Sequence, residues 1–252
     1  MKTLIFIISS CACVYLLLVL LLYGYQRSFI YFPSPANSGN LPVESFFNQG
    51  EQIDVLVHNV GRDSAIIYFA GNAESVAASS PILAKEFAEH TLYAVNYRGY
   101  ATSSGVPSEN ALNSDALHIY DSLAGRHLQI TVIGRSLGSG VATYLAAQRK
   151  IQKMVLITPF DSVLNIARDK FPYFPIALLL KDSYDSVSRV EQIVAKTLVI
   201  LAEHDQVIAA SHSQRLIKAF TKGQVQVRVI AGSGHNDLSN TVEYYRLIKD
   251  FL

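Results

Sequence analysis

From residue 52 onward the chain alternates between short apolar, β-branched runs and longer stretches in which apolar positions return every three or four residues. The runs are "QIDVLVH" (52–58), "SAIIYFA" (64–70), "TLYAVNY" (91–97), "QITVIGR" (129–135), "MVLITPF" (154–160), "KTLVILAEHD" (196–205) and "QVQVRVIAG" (224–232). Several are apolar at nearly every position rather than every second one, as strands covered on both faces are. Helical stretches separate them: 75–90, 108–125, 140–150, 211–220 and 239–252. In the second, Leu112, Ala116, Ile119, Tyr120 and Leu123 share one face, and Ser108 stands where a cap belongs. Strand, helix, strand, repeated, predicts an α/β fold: a mostly parallel central sheet flanked by helices. No internal repeat or low-complexity segment breaks the pattern.

Two segments depart from it. Residues 3–25, "TLIFIISSCACVYLLLVLLLYGY", carry no charge. As a helix they would extend ~34 Å at about 1.5 Å per residue, enough for a hydrocarbon layer of ~30 Å. A cleaved signal peptide would have a shorter apolar core and a small-residue cleavage site, whereas "YGYQRSFIYFPSP" is bulky and aromatic. An uncleaved transmembrane anchor at 1–25 is expected, followed by a Pro, Ser and Asn-rich connector at 26–42 and a catalytic domain at 43–252. Lys2 and the amino terminus outweigh Arg27, which leans toward an inside N-terminus and an extracytoplasmic domain. The second departure runs from Asp161 to Arg189, between two predicted strands. It holds Pro172, Pro175 and the apolar patch "FPYFPIALLL". It is too apolar for disorder and too long for a plain connection, so a lid over a site is expected.

Composition narrows the function. Half of the 252 residues are apolar, enough for one sizeable core. The net charge is +1 with 16% charged residues and no run of one sign, so no nucleic-acid footprint is present. Both cysteines, Cys11 and Cys13, fall in the expected anchor, which leaves no disulfide framework or cysteine metal site for the rest of the chain. "ISSC" looks like a lipoprotein box, but the apolar run continues well past Cys11. The seven histidines show no metal spacing, and no cofactor is called for.

Ligands of such sheets bind beyond the carboxyl ends of the strands, and three strand ends carry reactive side chains. "GRSLGSG" sets Ser136 between glycines, as a sharp strand-to-helix turn with a projecting hydroxyl requires. Asp205 ends a second strand. His235 lies in the Gly-Ser-Gly loop after a third. Serine needs an imidazole to take its proton, and the imidazole needs a carboxylate to fix its tautomer. A tetrahedral oxyanion needs donors: the Leu137 N–H, and a second from Asn72 and Ala73 in the turn "AGNAES". Asp161, Asp182 and Asp185 are rival acids. Tyr100 and Phe160, with Ala73, are candidate pocket residues. Asp237 is read as a cap for the final helix in preference to a contact within the histidine loop, and Glu109 as a partner of a positive helix end.

The motifs "GRSLG", "YFAGNAES", "NYRGYATSSGVPSE", "ITPFDSV", "LAEHDQVI" and "GSGHNDL", behind "QRSFIYFPSP" and an N-terminal span, resemble the small single-pass α/β-hydrolases related to the bud-emergence-type and α/β-hydrolase-domain-containing proteins. The resemblance covers nearly all of 26–252. It implies Ser136 as nucleophile, Asp205 as acid, His235 as base, and Asn72 with Leu137 as the oxyanion turn. Two positions depart from the group. Ala70 stands where histidine is usual before Gly71, and Ala101 where glycine is common. The expected function is a serine hydrolase acting on carboxylic esters or thioesters, with acyl or lipid-like small-molecule substrates near a membrane. A peptidase or amidase of the same fold, or a silent membrane-anchored scaffold, stands as the alternative.

Overall fold

The computed structural model describes residues 1–36 and 41–252. An eight-stranded sheet is built from β1 (Val43–Asn48), β2 (Glu51–His58), β3 (Ser64–Phe69), β4 (His90–Val95), β5 (Gln129–Arg135), β6 (Lys153–Ile157), β7 (Lys196–Ala202) and β8 (Val225–Ile230). Its order is β1-β2-β4-β3-β5-β6-β7-β8. β2 pairs antiparallel with both β1 and β4, and every pairing from β4 to β8 is parallel. The seven strands expected from the apolar runs are all present. β1 was not anticipated: among its residues only Phe46 is buried, so "VESFFN" carries little apolar signal.

The helices are α1 (Lys2–Ile30), α2 (Val76–Glu86), α3 (Glu109–Leu123), α4 (Leu137–Gln148), α5 (Val163–Lys170), α6 (Ile176–Leu179), α7 (Ser186–Arg189), α8 (Ala210–Ala219) and α9 (Val242–Phe251). α3, α4 and α8 cover one face of the sheet and α2 and α9 the other, each face with its own apolar cluster. Alternation along β3 divides it accordingly, Ile67 and Phe69 into one cluster, Ile66 and Tyr68 into the other. Both faces are covered, which is why the central strands read as continuous apolar runs. Ser108 caps α3 as expected, accepting the Ala111 N–H at 3.2 Å.

α1 is the one helix among the described residues long and apolar enough to cross a membrane. It is a candidate membrane span, and it continues five residues past the expected boundary at 25. Of the connector expected at 26–42, Gln26–Ile30 are therefore helical, and 37–40 lie outside the described residues. The Asp161–Arg189 interval forms α5, α6 and α7 and packs beside the end of α1. Gln26 Nε2 donates to the Leu179 carbonyl (3.0 Å), the Lys181 N–H donates to Gln26 Oε1 (2.6 Å), and Arg27 pairs with Asp182 (2.8 Å).

The antiparallel corner is fixed by a buried ion pair. Arg98 donates to both oxygens of Asp115 on α3 (3.0 and 2.6 Å), and Asn48 Nδ2 of β1 donates to the same carboxylate at 2.7 Å. "NYRGY" thus anchors a turn, with Arg98 away from the site. Removing one member of a buried, fully bonded pair strands the other charge. Asp115→Ala should lower stability by about 3–5 kcal/mol in chemical denaturation.

Candidate active site

The sheet brings the three reactive strand ends together. β5 ends at Arg135 and the chain turns at once into α4, with Ser136 at φ 49° and ψ −115°. A non-glycine residue held in such a region costs about 1–3 kcal/mol and needs the surroundings to enforce it. Here the two flanking glycines do so. A Cβ on Gly134 would lie 2.4 Å from the Gly138 carbonyl oxygen, and one on Gly138 would lie 2.1 Å from that of Phe69. α4 can therefore start against the end of β3, and the Ser136 side chain projects outward.

Asp205 follows β7 and His235 follows β8. His235 Nε2 lies 3.0 Å from Ser136 Oγ, and its Nδ1 lies 2.8 Å from Asp205 Oδ2. An ionised carboxylate only accepts, so Nδ1 carries the proton and Nε2 is left to accept from the hydroxyl. Burial pushes the Asp205 carboxyl up, but the His235 contact and the Ile208 and Val207 N–H groups outweigh it and hold it below the usual carboxylate range. Those N–H groups donate to Asp205 Oδ1 at 2.8 and 2.9 Å. His235 is buried at 8% exposure, with its two ring nitrogens beside Asp205 and Ser136.

The turn after β3 supplies the opposite wall. Ala70 is buried and its carbonyl accepts from the Tyr97 hydroxyl (2.7 Å). The Gly71 N–H donates to Glu74 Oε2 (2.9 Å), and the Tyr68 hydroxyl donates to both Glu74 oxygens (2.9 and 3.0 Å). Glu74 thus ties Tyr68 to the Gly71 N–H from within the turn. Asn72 is held by its side chain: Nδ2 donates to the Ile30 carbonyl (2.7 Å), while Oδ1 accepts from the Phe32 N–H and the Tyr100 hydroxyl, each at 2.9 Å. The backbone N–H groups of Asn72 and Leu137 have no acceptor among the described residues.

Arg135 joins the two walls. Its guanidinium lies 3.5 Å from Glu74 and donates to the His235 carbonyl at 3.1 Å. Sequence reasoning passed over both Arg135 and Glu74; the available signal was a lone arginine closing an otherwise apolar strand. Asp237 takes the loop position rather than the cap. It accepts the Gly234 N–H (2.6 Å) within the histidine loop, and Thr241 caps α9 instead.

A cleft of about 390 Å³ opens over this arrangement, lined by Ser136, His235, Asn72, Ala73, Phe32 and Val207 among others. Its size falls within the ~300–1,000 Å³ of small-molecule sites. Ala73 lines it as expected; Tyr100 and Phe160 do not. Tyr100 is buried behind Asn72, and Phe160 packs in the core beside Gly140. The rival acids are committed elsewhere. Asp161 is buried against His212 (2.8 Å) and Arg215 (2.5 Å), Asp182 binds Arg27, and Asp185 caps α7. Glu109 accepts the Tyr184 N–H (2.8 Å) and pairs with Arg189 (2.5 Å), so it fastens the insertion rather than only facing a helix end.

Comparison with known proteins agrees with this architecture. A model described as the alpha/beta hydrolase fold matches residues 64–178. An uncharacterized protein of Mycobacterium tuberculosis is 32% identical over 238 residues, spanning 87% of this chain and 83% of that protein. The chain belongs to the α/β-hydrolase family. Protein bem46 of Schizosaccharomyces pombe is 26% identical over 92% of this chain and 87% of its own length. The mouse alpha/beta hydrolase domain-containing protein 17C is 27% identical over 64% of this chain, which spans half of that relative. Among solved structures, the esterase Pf2001 of Pyrococcus furiosus superposes with a TM-score of 0.68 over 88% of this chain and 98% of its own, at 17% identity. Fold and neighbours together support a hydrolase.

The approach of α4 to β3 gives a direct test. Gly138→Ala places a methyl group against two carbonyl groups of fixed backbone. The hydrolase should lose at least about 3 kcal/mol of stability, read as a fall in Tm, because neither strand nor turn can retreat.

Proposed function

We propose that this hydrolase is a membrane-anchored serine hydrolase that cleaves carboxylic ester or thioester bonds of acyl or lipid-like substrates through an acyl-enzyme on Ser136. The observation that carries the reading is the unbroken relay from Asp205 through His235 to Ser136, with contacts of 2.8 and 3.0 Å. His235 Nε2 takes the hydroxyl proton as Oγ attacks the carbonyl. The Asn72 and Leu137 N–H groups receive the oxyanion, a contribution of about 2.7–4 kcal/mol per donor in comparable sites. His235 returns its proton to the leaving alcohol or thiol. Water, deprotonated by the same imidazole, then releases the acid and restores Ser136. Asp205 stabilises the imidazolium in both halves. The apolar helix α1 supports the membrane setting, with residues 43–252 as the catalytic domain and 161–189 as its cap.

Hydrolysis of p-nitrophenyl esters by the full chain in detergent tests the reading. Ser136→Ala should lower kcat by about four to six orders of magnitude and abolish fluorophosphonate labelling. A folded wild-type protein that neither hydrolyses any ester nor takes the label would refute it and favour a silent scaffold.

Asp205→Asn should reduce kcat by about 10⁴ by stabilising the wrong tautomer. Its effect on stability has a definite sign. A carboxyl depressed by folding stabilises above its ordinary pKa of about 3.9 and loses that contribution as pH falls through the lower folded value. The Tm difference between wild type and Asp205→Asn should therefore hold constant from about pH 8 to 5 and shrink below about pH 4.

A further inference from the structure

The turn after β3 holds a conformation that its own residues do not favour. Ala73 lies at φ 60°, in the left-handed region, without the freedom a glycine would bring. Three of the four backbone N–H groups of the turn are already bonded within it. That of Gly71 donates to Glu74 Oε2 (2.9 Å), that of Ala73 to Asn72 Oδ1 (3.1 Å) and that of Glu74 to the Gly71 carbonyl (3.2 Å). The Asn72 N–H alone is left without an acceptor among the described residues.

The position of that one amide is set from outside the turn. Asn72 Nδ2 donates to the carbonyl of Ile30, the last residue of α1, at 2.7 Å, and Oδ1 accepts the Phe32 N–H at 2.9 Å. Tyr100 closes the same knot. It is 3% exposed; its hydroxyl donates to Asn72 Oδ1 (2.9 Å) and lies 3.1 Å from the Phe32 N–H, which it accepts. Tyr97, packed edge-on against Tyr100 with ring centroids 5.5 Å apart, holds the Ala70 carbonyl. Two buried tyrosines from the segment after β4 thus brace the turn from behind, and the end of α1 grips it from the side.

We infer that the Asn72 side chain and the Tyr100 hydroxyl are positioning groups, which fasten the turn after β3 to residues 30–32 so that the seating of α1 fixes where the Asn72 N–H meets the developing oxyanion; this rests on the proposed serine-hydrolase reading. A side-chain amide engaged at both its NH2 and its carbonyl moves only with the segment that engages it. A donor to an oxyanion acts at ~2.7–3.1 Å from the place the oxygen takes in the transition state, so a loosened fastening is felt in the rate more than in substrate binding.

The test uses the full chain in detergent. Asn72→Ala keeps the backbone donor and removes its fastening, whereas Tyr100→Phe removes one hydroxyl and keeps the buried ring. For p-nitrophenyl butyrate, kcat should fall about tenfold in the first and about threefold in the second, with KM within about twofold of wild type. The double variant should lose little more than Asn72→Ala, because both changes act through one amide. An alkyl trifluoromethyl ketone, whose carbonyl takes up Ser136 Oγ as the hydroxyl proton passes to His235, gives an anionic tetrahedral adduct. Its affinity should weaken by the same factor as kcat, a proportionality that a merely structural role would not produce. Unchanged kcat overturns the inference, as does a loss of kcat with unaltered ketone affinity. Loss of the fold in both variants overturns it too, since the contacts would then serve stability alone. Hydrogen exchange separates the fastening from the chemistry: in the Ser136→Ala protein, Asn72→Ala should speed exchange in peptides spanning 30–32 several-fold. Faster exchange in a chain that hydrolyses no ester and forms no ketone adduct would refute the serine-hydrolase reading alone. Unchanged exchange and unchanged kcat in an active enzyme would refute the fastening alone.

Discussion

The site depends on how closely two backbones approach. α4 begins with its Gly138 against the carbonyl end of β3, at a distance that no side chain could share. That contact sets the N-terminus of a helix, with its unpaired N–H groups and positive dipole end, beside the turn that follows β3. It also forces Ser136 into a left-handed conformation, because the strand must become a helix within one residue. Backbone strain of this kind survives only where packing on both sides denies an alternative. The sheet provides it: β5 is central and paired on both edges, with β3 and with β6.

Around that fixed point the turn after β3 and the loop that holds His235 are tied by charge. Glu74 gathers the Gly71 N–H and the Tyr68 hydroxyl, and Arg135 reaches from Glu74 to the His235 carbonyl. Burial alone would lower the basicity of the Arg135 guanidinium, but Tyr68 and Glu74 beside it more than compensate and raise it, so it stays a cation. A buried cation is tolerable only with such partners. The turn that follows Ala70 is thus held by Glu74 within it and by Arg135 from the neighbouring strand.

Much of this was legible in the sequence, for identifiable reasons. Strands buried on both faces announce themselves as apolar runs, and Gly134, Ser136 and Gly138, a weak pattern alone, gain weight because an acid and a histidine follow at later strand ends. Asp205 and His235 could be chosen because each follows a strand, on the side where such sheets bind ligands. Tyr100 and Phe160 were misplaced as pocket residues because proximity to a motif does not reveal side-chain direction; the first turns inward to hold Asn72 and the second joins the core. Arg135 and Glu74 were passed over because their value arises only from meeting each other. β1 escaped notice because an edge strand with one buried residue has almost no pattern to read.

The same reasoning bears on the relation between helix α1 and the rest of the molecule. A tether would leave the domain indifferent to it, but here the end of α1 is hydrogen-bonded to the turn after β3 that lines the cleft. Asn72 engages its amide with the Ile30 carbonyl, the Phe32 N–H and the Tyr100 hydroxyl, Tyr31 shares a buried hydroxyl contact of 2.9 Å with Tyr184, and Arg27 meets Asp182. Asp182 in turn accepts the Glu109 N–H, and Glu109 holds Tyr184 and Arg189 at either end of α7. The helix, the 161–189 insertion and the turn after β3 therefore form one polar network, through which a displacement of α1 would reach Asn72 by way of its hydrogen bonds rather than through the apolar core.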